Sequence, residues 1–199
     1  MTNYYLIRVG DTDPLQSTDP YNMPLTSEGA AEVRRWAVAS SKWNLQMLCT
    51  STQRAALDTA DLVEDKSPVR ARWDLTEMED LVLDDLNYDP RATHLVSTWT
   101  PEQMEQGLIS LWTRLTAASA RIAVYASTYG MQNVAIIASE RVLNLLLAHW
   151  LQLDWRLLRQ ASFSFELAPF CRVAVSDDGQ ARIEWMTCPD HDTPQEDLI

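Results

Sequence analysis

The chain has 199 residues, 46% of them hydrophobic and 22% charged, the length and balance of one globular domain with a sizeable core. Its 16 basic against 28 acidic side chains give a formal charge of −12 and a pI of about 4.5, which repels polyanions and excludes nucleic acid and anionic membrane surfaces as partners. No apolar run reaches the ~20 residues of a membrane span. Met1 to Arg8 lacks the basic, apolar and small-residue succession of a secretory signal, so a cytoplasmic location is expected.

Tyr4 to Val9 is a short apolar and aromatic run ending at Gly10, and it predicts a buried strand. Asp11 to Met23, rich in Asp, Pro, Ser and Thr, predicts a loop. Thr26 is placed to cap a helix over Ser27 to Ser40, with Val33, Trp36 and Ala37 on one face. Leu45 to Thr50 predicts a second strand, Thr52 to Val63 a second helix, and Val69 to Trp73 a third strand. Thr76 to Trp99 is acidic, then loop-like, with Pro90 in its middle, and shows no clear period. Thr100-Pro101 opens a long helix, along which Met104, Leu108, Leu111, Leu115, Ala118, Ile122, Tyr125 and Tyr129 form an apolar stripe that reads as core.

Gly130 ends that helix. Val134 to Ala138 is a continuous apolar strand of the kind buried inside a parallel sheet. Arg141 to Leu151 follows as a helix, and Phe163 to Leu167, Cys171 to Ser176 and Ala181 to Met186 as strands, the last two a hairpin through Asp177-Asp178-Gly179. No repeat, low-complexity tract or linker interrupts the alternation. It predicts one α/β domain over residues 1–191, three-layered, with a mostly parallel central sheet and helices on both faces, then an acidic frayed tail at 192–199. Ligands of such sheets sit at the carboxyl ends of the strands. Of the three cysteines, Cys49 falls in a core strand, and Cys171 and Cys188 fall on the hairpin arms, where a disulfide is open but reduced thiols are expected of a cytoplasmic protein. No two have metal-ligand spacing, and neither metal nor cofactor is expected.

Three strand ends carry the chemistry-bearing residues: Arg8-Val9-Gly10-Asp11-Thr12, Thr50-Ser51-Thr52-Gln53-Arg54-Ala55, and Ala138-Ser139-Glu140. Together with Pro24-Leu25-Thr26 and Gly29 at the first helix, Thr59-Ala60 in the second, and Leu75-Thr76-Glu77 after the third strand, they make the sequence resemble the histidine phosphatase (phosphoglycerate mutase-like) superfamily. That family opens with a strand ending in Arg-His-Gly, carries Pro-Leu-Thr and Gly at the first helix, Arg-Ala and Thr-Ala on the second, an acid in Leu-x-Glu, and a late strand ending in Ser-His-Gly. The resemblance covers nearly the whole chain, and Asp190-His191 after the tail hairpin fits the family's C-terminal segment.

What the resemblance implies turns on what stands at those positions. In the family the first histidine attacks phosphorus, the second donates to the phosphoryl oxygens, and two arginines neutralise the phosphate. Here Val9 and Ser139 stand at the histidine positions and Arg8 at the first arginine. Counting back from Thr59, the second arginine falls on Ala55, with Arg54 one helical step, ~100°, away. Glu77 stands at the proton donor, but an acid without a nucleophile completes no cycle. His94, His149 and His191 fall at none of these positions and read as structural. Arg8, at the end of a buried strand, needs a carboxylate partner, with Glu77 the first candidate and Asp11 or Glu140 behind it.

The expectation is a catalytically inactive member of the superfamily, a pseudoenzyme in a binding, regulatory or scaffold role. A rebuilt phosphatase or phosphomutase site using Asp11, Glu77 or Ser139 is the enzymatic alternative. A protein-interaction module using the long helix or some of the eight tryptophans is the third reading. A protein partner and a homodimer are both left open.

Overall fold

The computed structural model describes residues 1–13, 23–86, 93, 96–165 and 169–187. Its strands are β1 (Thr2–Arg8), β2 (Met47–Ser51), β3 (Ala71–Leu75), β4 (Asn133–Ala138), β5 (Phe170–Val175) and β6 (Ala181–Thr187). Its α-helices are α1 (Ser27–Ser40), α2 (Arg54–Lys66), α3 (Pro101–Thr128) and α4 (Glu140–Trp150). The six strands form one sheet in the order β3-β2-β4-β1-β5-β6. β1 pairs parallel with β4, and β2 pairs parallel with both β4 and β3. β5 runs antiparallel to β1, and β6 to β5.

Alternation along the strands divides the core into two layers. Tyr4 and Leu6 of β1, Met47 and Cys49 of β2, and Val134 and Ile136 of β4 pack with Leu111, Leu115 and Ile122 of α3 and Val142, Leu143 and Leu146 of α4. Tyr5 and Ile7, Leu48, and Ala135 and Ile137 pack with Val33, Trp36 and Ala37 of α1 and Ala60 and Val63 of α2. Helices on both faces of a largely parallel sheet give the three-layer α/β architecture the alternation implies. Each Leu or Ile buried in these layers contributes about 1.5–3 kcal/mol.

The caps explain where the helices begin. Thr26 accepts from the Gly29 amide at 2.9 Å, and its own amide donates to the Asp11 carbonyl at 2.9 Å, so the start of α1 is tied to the loop after β1. Thr100 and Gln103 form a reciprocal capping box at the start of α3. The α3 stripe is core over Leu111, Leu115, Ala118 and Ile122, whereas Tyr129 is 61% exposed at its end. Asn133, at the start of β4, donates to the Asn44 carbonyl.

Several expectations need correction. β2, α2 and β3 begin two residues later than the sequence periodicity suggests. Phe163 to Phe165 is not a strand. Its amides are taken by side chains of α4: Phe163 N donates to Asn144 Oδ1 at 2.7 Å, Asn144 Nδ2 donates back to the Phe163 carbonyl at 3.0 Å, and Phe165 N donates to Glu140 Oε1 at 3.1 Å. These contacts satisfy the backbone as a neighbouring strand would, without one. Glu166 and Leu167, His94, Cys188, Asp190, His191 and the tail at 192–199 lie outside the described residues, and with them the expected domain boundary. Cys171 is a free, fully buried thiol.

Candidate functional site

β1 and β4 are neighbours, yet the chain leaves them for opposite faces of the sheet, through α1 on one side and α4 on the other. A crevice opens where such paths diverge, outside the carboxyl ends of the strands. It is a cleft of about 410 Å³ whose lining includes Arg8, Val9, Asp11, Ala55, Asp80, Ser139, Glu140 and Arg141. A second cleft of about 510 Å³ adjoins it, sharing Asp80, Ser139, Glu140 and Arg141 and continuing over an apolar wall that includes Leu108, Leu145, Trp155 and Leu158.

The loop after β1 is held by a short chain of contacts. The Gly10 amide donates to Thr59 Oγ1 at 3.1 Å, and Thr59, fully buried, donates on to the Ala55 carbonyl at 2.8 Å. Gly29 lies so close beneath the loop that a Cβ there would sit 2.5 Å from the Asp11 carbonyl oxygen. Glycine is therefore required for α1 to support Asp11. Arg8 donates to Asp11 Oδ1 at 3.0 Å, and its buried Nε has no hydrogen-bond partner among the described residues.

At the opposite wall, Ser139 is the N-cap of α4. Its hydroxyl donates to Asp80 Oδ2 at 2.7 Å. The other oxygen, Asp80 Oδ1, accepts from Arg141 and from the Leu81 amide. The backbone of this segment is fastened by Arg114 of α3, which donates to the carbonyls of Glu77 (2.8 Å), Glu79 (2.6 Å) and Asp80 (2.9 Å) and pairs with the buried Asp85 at 2.9 Å.

Of the residues singled out from sequence, the structure brings Arg8, Val9, Ala55 and Ser139 to one cleft. It places Arg54 outside, on the α2 surface, where it pairs with Asp58 four residues on at 2.8 Å. Glu77 is also outside, paired with Arg121 of α3. Arg8 is met by Asp11, not by Glu77, and through one contact rather than a fork. Two cleft residues, Asp80 and Arg141, were not found from sequence. Asp80 is one of five carboxylates between Glu77 and Asp85, and only the fold decides which of them turns inward. Among the described residues no histidine lines the cleft. His149 lies on α4 with its ring edge-on to Trp112 at 5.8 Å, and burial lowers its pKa. Among the described residues no group of His, Cys, Asp and Glu is arranged to hold a metal ion.

A three-layer α/β sheet with a cleft at the ends of β1 and β4, entered by Arg8 and by the N-terminus of α4, is the frame of the histidine phosphatases. The chain belongs to that superfamily: the family model for its branch 1 matches residues 4–187. Among solved structures, α-ribazole phosphatase from Shigella flexneri superposes with a TM-score of 0.71 at 18% identity, covering 94% of this chain and 97% of its own. A mycobacterial glucosyl-3-phosphoglycerate phosphatase complexed with VO3 gives 0.69 at 16%, covering 94% and 100%. The protein histidine phosphatase SixA complexed with tungstate gives 0.62 at 17%, covering 95% and 98%. At these identities the likeness is one of fold. No curated protein matches the sequence.

Proposed function

We propose that the chain is a non-catalytic member of the superfamily, a histidine phosphatase fold serving a binding, regulatory or scaffold role. A cytoplasmic location is part of the proposal; among the described residues no helix is long and apolar enough to cross a membrane. The observation that carries the reading is the chemistry of the cleft walls: Val9 and Ser139 line it at the two positions where the resemblance implies histidines. Val9 has neither a nucleophile nor a hydrogen-bonding atom, and a serine hydroxyl replaces an imidazole at the other wall. Ala55 lines the cleft at the position counted for the second arginine, and Arg54 does not reach it. Three carboxylates, Asp11, Asp80 and Glu140, face two guanidinium groups, Arg8 and Arg141, in a place where a phosphate dianion would need net positive charge.

The test is hydrolysis of p-nitrophenyl phosphate and of phosphoglycerates by the purified protein, with and without divalent cations. The expected result is no turnover above background. Turnover abolished by Ser139→Ala or Asp11→Asn would overturn the reading.

One contact favours the enzymatic alternative, the 2.7 Å hydrogen bond from Ser139 to Asp80, which has the geometry of a nucleophile and its base. Against it, Asp80 already accepts from Arg141 and the Leu81 amide, so its carboxylate is committed to structural partners. The interaction-module reading loses one support: each of the eight tryptophans is buried or half-buried, and none is exposed.

A further inference from the structure

We infer that the Asp80 carboxylate is the resident anion of the cleft, occupying the oxyanion position at the head of α4 in place of an external phosphate or carboxylate. The inference rests on the reading of this cleft as the family's phosphoryl pocket and adds what fills it.

An oxyanion bound in such a place needs hydrogen-bond donors converging on one point, a positive charge, and the positive end of a helix. The wall at Ser139 has all three, and a single side chain uses them. Ser139 Oγ donates to one carboxylate oxygen of Asp80, and Arg141 and the Leu81 amide donate to the other. α4, with 11 residues, has its N-cap at Ser139 and Arg141 in its first turn. The charge on Asp80 is the kind this end of a helix favours. Charge-assisted bonds of this type are the strong ones, and both oxygens are engaged.

The backbone holds the carboxylate in place. Arg114 donates to the carbonyl of Asp80 itself and to those of Glu77 and Glu79 before it, so the segment cannot slide without giving up several bonds to α3. The same staple turns Glu77 out to Arg121. An external oxyanion arriving at Ser139 and Arg141 meets a carboxylate already bonded to both, whose charge repels it. Arg8, across the cleft, has its own carboxylate partner in Asp11.

Removing the charge on Asp80 therefore opens the site. The full-length protein, its Asp80→Asn and Asp80→Ala variants, and the Asp80→Ala/Arg141→Gln double variant are titrated calorimetrically with tungstate and with orthophosphate at low ionic strength. The expected result is that Asp80→Ala binds tungstate about tenfold or more tighter than the parent, because one unit charge beside the site has gone. Asp80→Asn shows a gain of the same sign, and the double variant loses it. Asp80→Asn keeps the side-chain volume and decides the matter alone if Asp80→Ala does not fold. Parent and folded Asp80 variants binding equally well, or folded variants gaining no affinity, would overturn the inference. The two readings fail separately. Turnover by the parent ends the non-catalytic reading, whereas tungstate binding by the parent equal to that of its variants, without turnover, ends only the assignment of Asp80.

Discussion

Replacing Arg114 by Ala tests the structural element on which the cleft depends. Arg114 reaches Asp85 through Nε at 3.1 Å and NH2 at 2.9 Å, a forked contact with a carboxylate whose side chain is 3% exposed. Removing one partner of a buried pair costs about 3–5 kcal/mol, because the remaining charge is left in a poor medium. Here Asp85 keeps two other donors, Ser110 Oγ at 2.6 Å and the Val82 amide at 2.9 Å, so the low end applies. The carbonyls of Glu77, Glu79 and Asp80 lose a donor but lie in half-buried segments that water can reach. The expected loss is about 3–4 kcal/mol, a fall in Tm of roughly 6–16 °C for a domain of this size. Urea unfolding followed by circular dichroism measures it. Asp85→Ala should cost less, since Arg114 is then left with carbonyl acceptors and an 18% exposed side chain. The double variant should cost less than the sum by at least about 1 kcal/mol. An Arg114→Ala protein within about 1 kcal/mol of the parent would refute the argument that this pair fastens the segment.

Thr59→Val keeps shape but leaves the buried Gly10 amide without its acceptor, and urea unfolding should show a loss of about 1–3 kcal/mol. Gly29→Ala must push the Asp11 backbone away from α1, with a loss of about 1–3 kcal/mol by the same assay and altered arginine side-chain resonances for Arg8. For His149, burial lowers the folded pKa below the ordinary value of about 6.5. The unfolded chain therefore binds the proton more readily, and stability falls as pH drops below that value toward the folded pKa. His149→Gln should reduce the stability slope below about pH 6.5, and an unchanged difference curve would count against it. Burial raises the thiol pKa of Cys49 well above its usual range and that of Cys171 to about 12. Both should resist a thiol reagent at pH 8 in peptide-resolved mass spectrometry until the protein unfolds, and rapid native labelling of either would contradict the packing.

The fold was legible where periodicity and caps agree. α1 runs from Ser27 to Ser40 as Thr26 and the positions of Val33, Trp36 and Ala37 require, and the turn through Asp178 closes at Gly179 with a φ of 83°. Phe163 to Phe165 misled because two aromatics alternating with a serine have the pattern of a strand, whereas Asn144 and Glu140 supply the hydrogen bonds of one. The candidate site was legible only in part. Arg8, Val9, Ala55 and Ser139 sit next to regular elements, so counting along strands and helices locates them. Asp80 sits among short turns rich in acids, where no local signal separates it from Glu77, Glu79, Asp84 or Asp85. The arginine that selects it is 34 residues further along, on α3.

The motif residues that resemble the family have structural duties in this chain that need no phosphate. Thr26 caps α1 and binds the Asp11 carbonyl. Gly29 leaves room for that carbonyl. Thr59 holds the Gly10 amide. Each of these contacts fixes backbone, and losing any of them leaves a buried polar group unpaired or a helix end uncapped, costs of about 1–3 kcal/mol each. Of the positions that differ, Ser139 caps α4 by accepting from the Val142 amide, whereas Val9 and Ala55 line the cleft through side chains that hold no backbone in place. The matched motifs thus argue for the architecture of a histidine phosphatase, and activity has to be argued separately, from the groups that would touch phosphorus.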